Sequence, residues 1–121
     1  MQVTDTILMI RPARFSYNPE TAVTNHFQQQ TTVSTEELQH LAAKEFDEMV
    51  HVLRSHDLDV FVIDDTPLPI KPDAIFPNNW ISTNASGVVS TFPMQAASRR
   101  LERRQDIIER LKKSFVVTDV Q

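Results

Sequence analysis

Two passages of this sequence place their elements in the same order, and that repeat limits the fold more than any other feature. In the first, the apolar run ILMI at residues 7–10 precedes a polar connection, an amphipathic segment and the run LDVFVIDD at residues 58–65. In the second, VVSTFPM at residues 88–94 precedes RRLERRQDIIERLKK and SFVVTDV at residues 114–120. Strand, helix and strand in this order are typical of a βαβ crossover with a parallel strand pair. The predicted fold class is therefore α/β, built from repeated small units.

The clearest single element is a helix predicted over residues 34–56. Ser34 and Glu37 have the spacing of a capping box, in which side chains satisfy free backbone groups at the start of a helix. Apolar residues follow at steps of three and four, which places them on one helix face. They are Leu38, Leu41, Ala42, Phe46, Met49, Val50 and Leu53. Residues 16–33 show no such period and are predicted as a long ordered loop, a kind of segment that is usually functional in a compact domain.

Composition narrows the range of functions. A chain of 121 residues can build one modest core, and a net charge of -4 gives no attraction to nucleic acid or an anionic membrane. The absence of cysteine excludes disulfides and a cysteine nucleophile within this chain. No signal peptide and no bilayer-length apolar stretch is visible, which predicts a cytoplasmic protein. The histidines lack ligand spacing and no glycine-rich phosphate loop is present, so neither a metal nor a cofactor is predicted.

Two polar pairs stand within or at the end of predicted strands. Asn78 and Asn79 interrupt the strand predicted over residues 74–83, although asparagine is depleted from strands because its amide competes for backbone hydrogen bonds. A turn or bulge would explain them, and so would a binding site that needs amide groups. Asp64 and Asp65 end another strand, where α/β sheets form ligand crevices. The alternative for this second pair is a turn with solvated carboxylates.

Arg99 and Arg100 fall in the first turn of the second predicted helix, where the helix dipole disfavours cations. An anion nearby would compensate, such as a substrate carboxylate held by both nitrogens of one guanidinium. The alternative is a solvated helix face on which these arginines pair with Glu102 and Asp106.

Four segments carry a family resemblance. MIRPARFSYNPETAVTNHFQ, EFDEMV, PDAIFPNNWIST and FPMQAASRRLERR together resemble the amidinotransferase and arginine-deiminase superfamily, most closely the amidinotransferase-like citrulline-utilisation hydrolases. The resemblance covers nearly the whole chain. It implies the pentein fold, a five-bladed α/β propeller, of which residues 1–121 would form the N-terminal segment. The first blade would span about residues 1–83 and a partial second blade about residues 84–121.

The resemblance also implies a function. Family members are cysteine-dependent hydrolases or amidinotransferases that act on non-peptide C–N bonds of guanidino or ureido amino acids such as arginine and citrulline. The catalytic cysteine and histidine of the family have no counterpart in this segment, so no catalytic residue is assigned and the chain alone is expected to be inactive. The predicted partner is a small guanidino or ureido amino acid, with neither nucleic acid nor membrane.

The residues that match the family's substrate-binding motifs are Phe76, Asn78, Asn79, Arg99 and Arg100. The spacing from Phe76 to Asn79 matches a strand end where relatives place a carboxylate against the guanidinium. The amide of Asn79 can both donate and accept, which suits a neutral ureido group instead. Arg100 matches the arginine that holds the substrate's α-carboxylate in dimethylarginine-hydrolysing relatives.

An alternative reading is a non-catalytic module that binds an amino-acid ligand or a protein partner. Open sheet edges, at which backbone N–H and C=O groups lack partners, would serve such binding and also allow a homo-oligomer.

Overall fold

Two small sheets form the framework of the molecule. A computed structural model describes residues 3–23 and 32–121. In the first sheet, β1 (Thr6–Arg11) and β2 (Asp59–Asp64) run parallel, with Thr6 opposite Asp59. In the second, β4 (Val88–Thr91) lies between β3 (Ile81–Thr83), which is antiparallel to it, and β5 (Asp119–Val120), which is parallel. The mixed α/β class and both predicted parallel pairs are confirmed.

Three α-helices and two short 3₁₀ turns connect the strands within the described residues. The helices are α1 (Pro19–Ala22), α2 (Thr35–Ser55) and α3 (Gln105–Ser114). The first 3₁₀ turn spans Pro77–Asn79 and the second spans Ala97–Glu102. Residues 24–31 of the loop predicted over 16–33 lie outside the described residues, and α1 occupies part of the remainder. No helix in the described ranges combines the length and the apolar character that crossing a bilayer requires.

Helix α2 has defined signals at both ends. The Ser34 hydroxyl oxygen accepts the N–H of Glu37 at 3.2 Å, as the capping-box spacing predicts. At the other end, Asp57 adopts a positive φ of 62° and the N–H of Leu58 returns to the carbonyl of Leu53 at 3.2 Å. This is the Schellman geometry, in which a left-handed residue ends the helix and its last carbonyls gain donors.

The buried face of α2 is narrower than its apolar pattern. Phe46 and Val50 are buried against Val60 of β2, whereas Leu41 and Met49 are exposed although the pattern predicts them on the same face. The first sheet has two strands, so it covers only a narrow stripe of the helix.

One hydrophobic core joins the two sheets. Ile10 and Ile63 of the first sheet share a buried cluster with Ile81 and Val89 of the second, and Trp80 lies among them with 2% of its surface exposed. The buried face of α3 closes this cluster with Ile107, Ile108 and Leu111. Because both sheets contribute to one core, they support each other's packing.

The prediction of a strand over residues 74–83 is wrong for residues 74–80. Pro77 has no N–H to donate and opens the first 3₁₀ turn, in which the N–H of Asn79 bonds to the carbonyl of Phe76 at 3.2 Å. Strand geometry begins only at Ile81. Asn78 and Asn79 therefore lie in a turn, which was one of the two explanations offered for them.

The second predicted helix is also divided. Arg99 and Arg100 lie near the C-terminal end of the second 3₁₀ segment, which ends at Glu102. Helix α3 begins only at Gln105, after Arg104, whose backbone is extended. The prediction that the helix dipole opposes these two arginines is therefore wrong, because cations are favourable near the C-terminal end of a helical segment. Strand β5 is likewise shorter than predicted, with Asp119 and Val120 alone in strand geometry.

The connection between β3 and β4 needs its glycine. Gly87 has φ 85°, and a Cβ at this position would approach the carbonyl oxygen of Val116 to 2.5 Å. The side chain of Asn84 accepts the N–H of Ser86 at 3.0 Å and that of Val88 at 3.3 Å, which fixes the turn from the other side.

Candidate functional site

The guanidinium of Arg99 lies at the centre of a polar cluster. Its Nε and Nη2 donate to the carboxylate of Glu102 at 2.8 and 3.0 Å. Its Nη1 donates to Oδ1 of Asn79 at 2.9 Å, so every guanidinium nitrogen has an acceptor. The Arg99 side chain is only 15% exposed, and a guanidinium fork paired with a carboxylate at these distances is among the stronger hydrogen-bonded pairs.

The pairing of Arg99 with Glu102 follows from local backbone geometry. A 3₁₀ segment has three residues per turn, so side chains three apart lie directly above one another. The Glu102 side chain is 2% exposed, and this burial raises its pKa, although the hydrogen bonds and charge of Arg99 oppose the rise. The alternative reading of the sequence, an arginine paired with Glu102, is correct for Arg99, but the pair is buried rather than solvated.

Asp73 and Asn18 extend this cluster toward the loop before α2. The Asp73 carboxylate lies 3.8 Å from Nε of Arg99 and accepts the Nδ2 group of Asn18 at 2.9 Å. Asn18 is buried, and its Oδ1 accepts the N–H of Glu20 at 3.1 Å as the N-cap of α1. Neither residue was among the predicted site residues. The Asn-Pro pair at residues 18–19, a common start of a helix, was the available signal.

Glu20 attaches the same loop to the second 3₁₀ turn. Its carboxylate accepts the backbone N–H of Ala97 at 2.9 Å and that of Ser98 at 3.1 Å. The hydrogen bonds from Ser98, together with that from Ala97, hold the pKa of Glu20 below its ordinary value. The carboxylate thus caps backbone donors that the 3₁₀ turn itself leaves free.

Glu20 and Glu102 are expected to titrate on opposite sides of the ordinary glutamate pKa. Because the pKa of Glu20 is lowered, its stabilising contribution is present above the pKa of an unfolded glutamate and is lost as pH falls through the lowered value. Because the pKa of Glu102 is raised, the cost of its charged form is relieved as pH falls through that raised value. Carboxyl ¹³C NMR titration, assigned with Glu20→Gln and Glu102→Gln, measures both. A Glu20 carboxyl that titrates at or above the ordinary value would contradict the capping geometry.

Arg100 does not belong to the Arg99 cluster. Its Nε and Nη2 donate to the carbonyls of Met94 and Gln95 at 3.0 and 3.2 Å. It lines a separate pocket of about 360 Å³ together with Trp80 and Arg103. Nη2 of Arg103 lies 3.5 Å from the hydroxyl of Thr91, another lining residue.

The remaining predicted site residues flank the cluster without joining it. Phe76 is 45% exposed and precedes the first 3₁₀ turn, and Asn78 is exposed within that turn. In residues 3–23 and 32–121, the Asn78 side chain makes no hydrogen bond. Of the predicted substrate-binding residues, the structure therefore brings Asn79 and Arg99 into direct contact. The ligand-binding roles of all of them stay predictions.

Asp65 fits neither description offered for the acidic pair at the end of β2. Its side chain is 1% exposed and lies 3.2 Å from Nζ of Lys71 and 3.6 Å from Nη1 of Arg104. The Lys71 side chain is also 1% exposed, and its Nζ donates to the carbonyls of Thr66 and Pro69 at 3.1 and 2.7 Å. The group is a buried ion pair that ties a proline-rich connection to the core.

An open groove along α2 is distant in sequence from all predicted site residues. It has a volume of about 720 Å³. Its lining includes Arg11 and Asp47, which form an exposed ion pair with 2.9 Å between Nε and Oδ1. Its other polar lining residues are His40, Lys44, Glu48 and His51. Among the described residues, no group of three histidine or acidic side chains is arranged to hold a metal ion.

Comparison with protein-family models gives a match that runs from the last residue of β1 through β5. Residues 11–121 match the family described as N,N dimethylarginine dimethylhydrolase, eukaryotic, a family of the pentein superfamily. The match confirms the superfamily resemblance that the four segments predict, while the citrulline-utilisation branch stays a prediction. No curated protein and no solved structure matches the chain.

Proposed function

Because this chain belongs to the eukaryotic N,N dimethylarginine dimethylhydrolase family, we propose that it forms the N-terminal, substrate-binding part of a cysteine-dependent hydrolase. The reaction is cleavage of a non-peptide C–N bond in a guanidino or ureido amino acid. The family match over residues 11–121 carries this proposal. Since the chain contains no cysteine, the nucleophile comes from outside these 121 residues, and the chain alone does not turn over substrate. The five-bladed propeller, with blades at about residues 1–83 and 84–121, belongs to the same proposal.

The polar groups of this chain would bind and orient the substrate. The Asn79 amide, next to Arg99, offers hydrogen bonds to the substrate's guanidino or ureido end. Arg100 and Arg103 place two guanidinium groups at one pocket of about 360 Å³, which suits the α-carboxylate of an amino acid. Phe76 and Asn78 are further candidates beside Asn79, and both are exposed to a ligand.

Two measurements on the isolated chain test this function. Isothermal titration with citrulline, arginine and N,N-dimethylarginine measures binding, and assays for ammonia and dimethylamine measure turnover. We expect binding of at least one of these amino acids and no turnover. If none of them binds at millimolar concentration, the chain does not form the substrate-binding part.

A non-catalytic binding module is the second candidate, and the absence of cysteine favours it. Turnover by the gene product isolated from its natural source distinguishes the two candidates. A cysteine-containing product that releases ammonia or dimethylamine supports the enzyme. A silent product that still binds an amino acid supports the module.

Substitution of Arg100 by alanine is expected to weaken binding of the amino-acid ligand about tenfold to hundredfold, since hydrogen bonds to charged groups contribute roughly 1.5 to 3 kcal/mol. Arg110→Ala, which removes an exposed arginine from α3, is the matched control and should leave the affinity unchanged. The methyl ester of the same amino acid lacks the carboxylate, so its affinity should not respond to Arg100→Ala. Equal weakening of the acid and the ester would assign Arg100 a purely structural role.

A further inference from the structure

The direction of the Asn79 amide is fixed by its neighbour. A guanidinium has donors and no acceptor, so the atom of Asn79 that lies 2.9 Å from Nη1 of Arg99 must be the carbonyl oxygen Oδ1. The Nδ2 group then points away from Arg99. Within the part of the chain that the structure describes, this Nδ2 group donates to no protein atom. The exposed end of the side chain is therefore a hydrogen-bond donor.

Glu102 holds the guanidinium that sets this direction. Its two carboxylate oxygens bind Nε and Nη2 of Arg99 at 2.8 and 3.0 Å, so the guanidinium cannot rotate without losing both bonds. That leaves Nη1 as the edge presented to Asn79. The Glu102 side chain is almost fully buried, and water therefore competes little for its oxygens.

We infer that Glu102 is a positioning residue, which acts through Arg99 to orient the Asn79 amide so that its Nδ2 group faces the ligand. The site then selects ligands that offer a hydrogen-bond acceptor to this donor. The inference rests on the proposed function and concerns the guanidino or ureido end of the substrate. A ureido oxygen accepts the Nδ2 proton, whereas a guanidinium offers only further donors and leaves the Asn79 group unpaired. The chain is therefore expected to bind citrulline more tightly than arginine.

Glu102→Gln tests the inference with little change of shape. Glutamine keeps one acceptor oxygen but replaces the other with a donor and removes the negative charge, so it holds the guanidinium of Arg99 less firmly than the two carboxylate oxygens do. Arg99 can then turn, the Asn79 amide can flip, and the ratio of citrulline affinity to arginine affinity should fall about fivefold, which corresponds to one hydrogen bond. Glu109→Gln makes the same chemical change at an exposed site on α3 and should leave the ratio unchanged.

A double-mutant cycle separates positioning from simple loss of stability. In Asn79→Asp both side-chain oxygens are acceptors, so no amide direction remains for Arg99 to set. Asn79→Asp should therefore shift the preference toward arginine, and adding Glu102→Gln to it should no longer change the affinity ratio. A Glu102→Gln variant that weakens both ligands equally and keeps the ratio would overturn the inference. So would a native chain that prefers arginine to citrulline, an outcome that leaves the proposed function intact.

A measurement without ligand covers the case in which neither amino acid binds and the proposed function fails. In ¹⁵N NMR spectra, the Nδ2 resonances of Asn79 should shift when Glu102→Gln is introduced and should not respond to Glu109→Gln. If the Asn79 amide resonances are the same in the native chain and Glu102→Gln, Glu102 does not position that side chain.

Discussion

Replacing Trp80 with alanine is expected to lower the free energy of unfolding by about 3 to 5 kcal/mol, the range for truncating a large aromatic side chain in a core. Trp80 is 2% exposed and belongs to the cluster in which Ile10 and Ile63 meet Ile81 and Val89. The cavity left by its indole would open between the two sheets. Because a domain is stable by only about 5 to 15 kcal/mol, the loss would bring this chain close to unfolding at room temperature.

Urea denaturation followed by far-UV circular dichroism measures this effect, since the variant lacks the chain's single tryptophan and loses its fluorescence. Phe92→Ala is the matched control. Phe92 lies one residue beyond β4, its N–H bonds to the carbonyl of Trp80, and its side chain is 44% exposed. We expect Phe92→Ala to cost no more than about 1 kcal/mol. Similar losses for the two variants would mean that Trp80 does not join the sheets.

Replacing Lys71 with methionine should destabilise the chain by about 3 to 5 kcal/mol, because it leaves a buried carboxylate without its nearest cation. The remaining cation, Arg104, stands 3.6 Å from the Asp65 carboxylate, compared with 3.2 Å for Lys71. In the described residues neither oxygen of Asp65 makes a hydrogen bond, so the ion pairs are its compensation for burial. The substitution also removes the bonds from Nζ to the Thr66 and Pro69 carbonyls.

Lys112→Met provides the comparison, because the Lys112–Glu109 pair has a similar 3.3 Å separation but is exposed. We expect Lys112→Met to change the free energy of unfolding by no more than about 0.5 kcal/mol. Combining Lys71→Met with Asp65→Leu should recover much of the loss, since a buried pair replaced by apolar groups is often neutral. If Lys71→Met proves as mild as Lys112→Met, the Asp65 site is not closed to water.

The elements that could be predicted from the sequence are those whose signals are local. Ser34 and the three- and four-residue spacing of apolar side chains define α2, and continuous apolar runs define β1 and β2. In these elements the backbone preference and the burial pattern agree. The parallel pairing followed from the order of the elements alone.

The errors occur where contacts distant in sequence decide the local structure. No glycine or proline separates Arg100 from Gln105, so the pattern favours one continuous helix. In the structure, Arg104 donates to the carbonyl of Asp64 at 3.1 Å, across the interface with the first sheet. This contact accompanies an extended backbone at Arg104 and delays the start of α3. Pro77 was a signal in the sequence against a continuous strand over residues 74–83, because proline has no N–H to donate to a neighbouring strand.

The candidate site was predicted in part. Asn79 and Arg99 were identified, and the pairing of Arg99 with Glu102 was offered as an alternative, but the bond between Asn79 and Arg99 and the burial of Glu102 were not predicted. In the sequence, Glu102 cannot be distinguished from a solvated glutamate on a charged helix face. Only its burial in the folded structure sets it apart. Asp73 and Asn18 are far apart in sequence, so no periodicity could place them together.

The parallel pairing of β1 with β2 has a consequence for the order in which the chain can fold. Thr6 meets Asp59 only after the whole intervening segment, including α2, has been drawn into a closed loop. Closing such a loop costs entropy before any strand contact repays it, so pairings of this kind slow folding. Helix α2, whose bonds are local and whose ends are capped, needs no such closure. It can therefore form first and shorten the distance that the two strands must span.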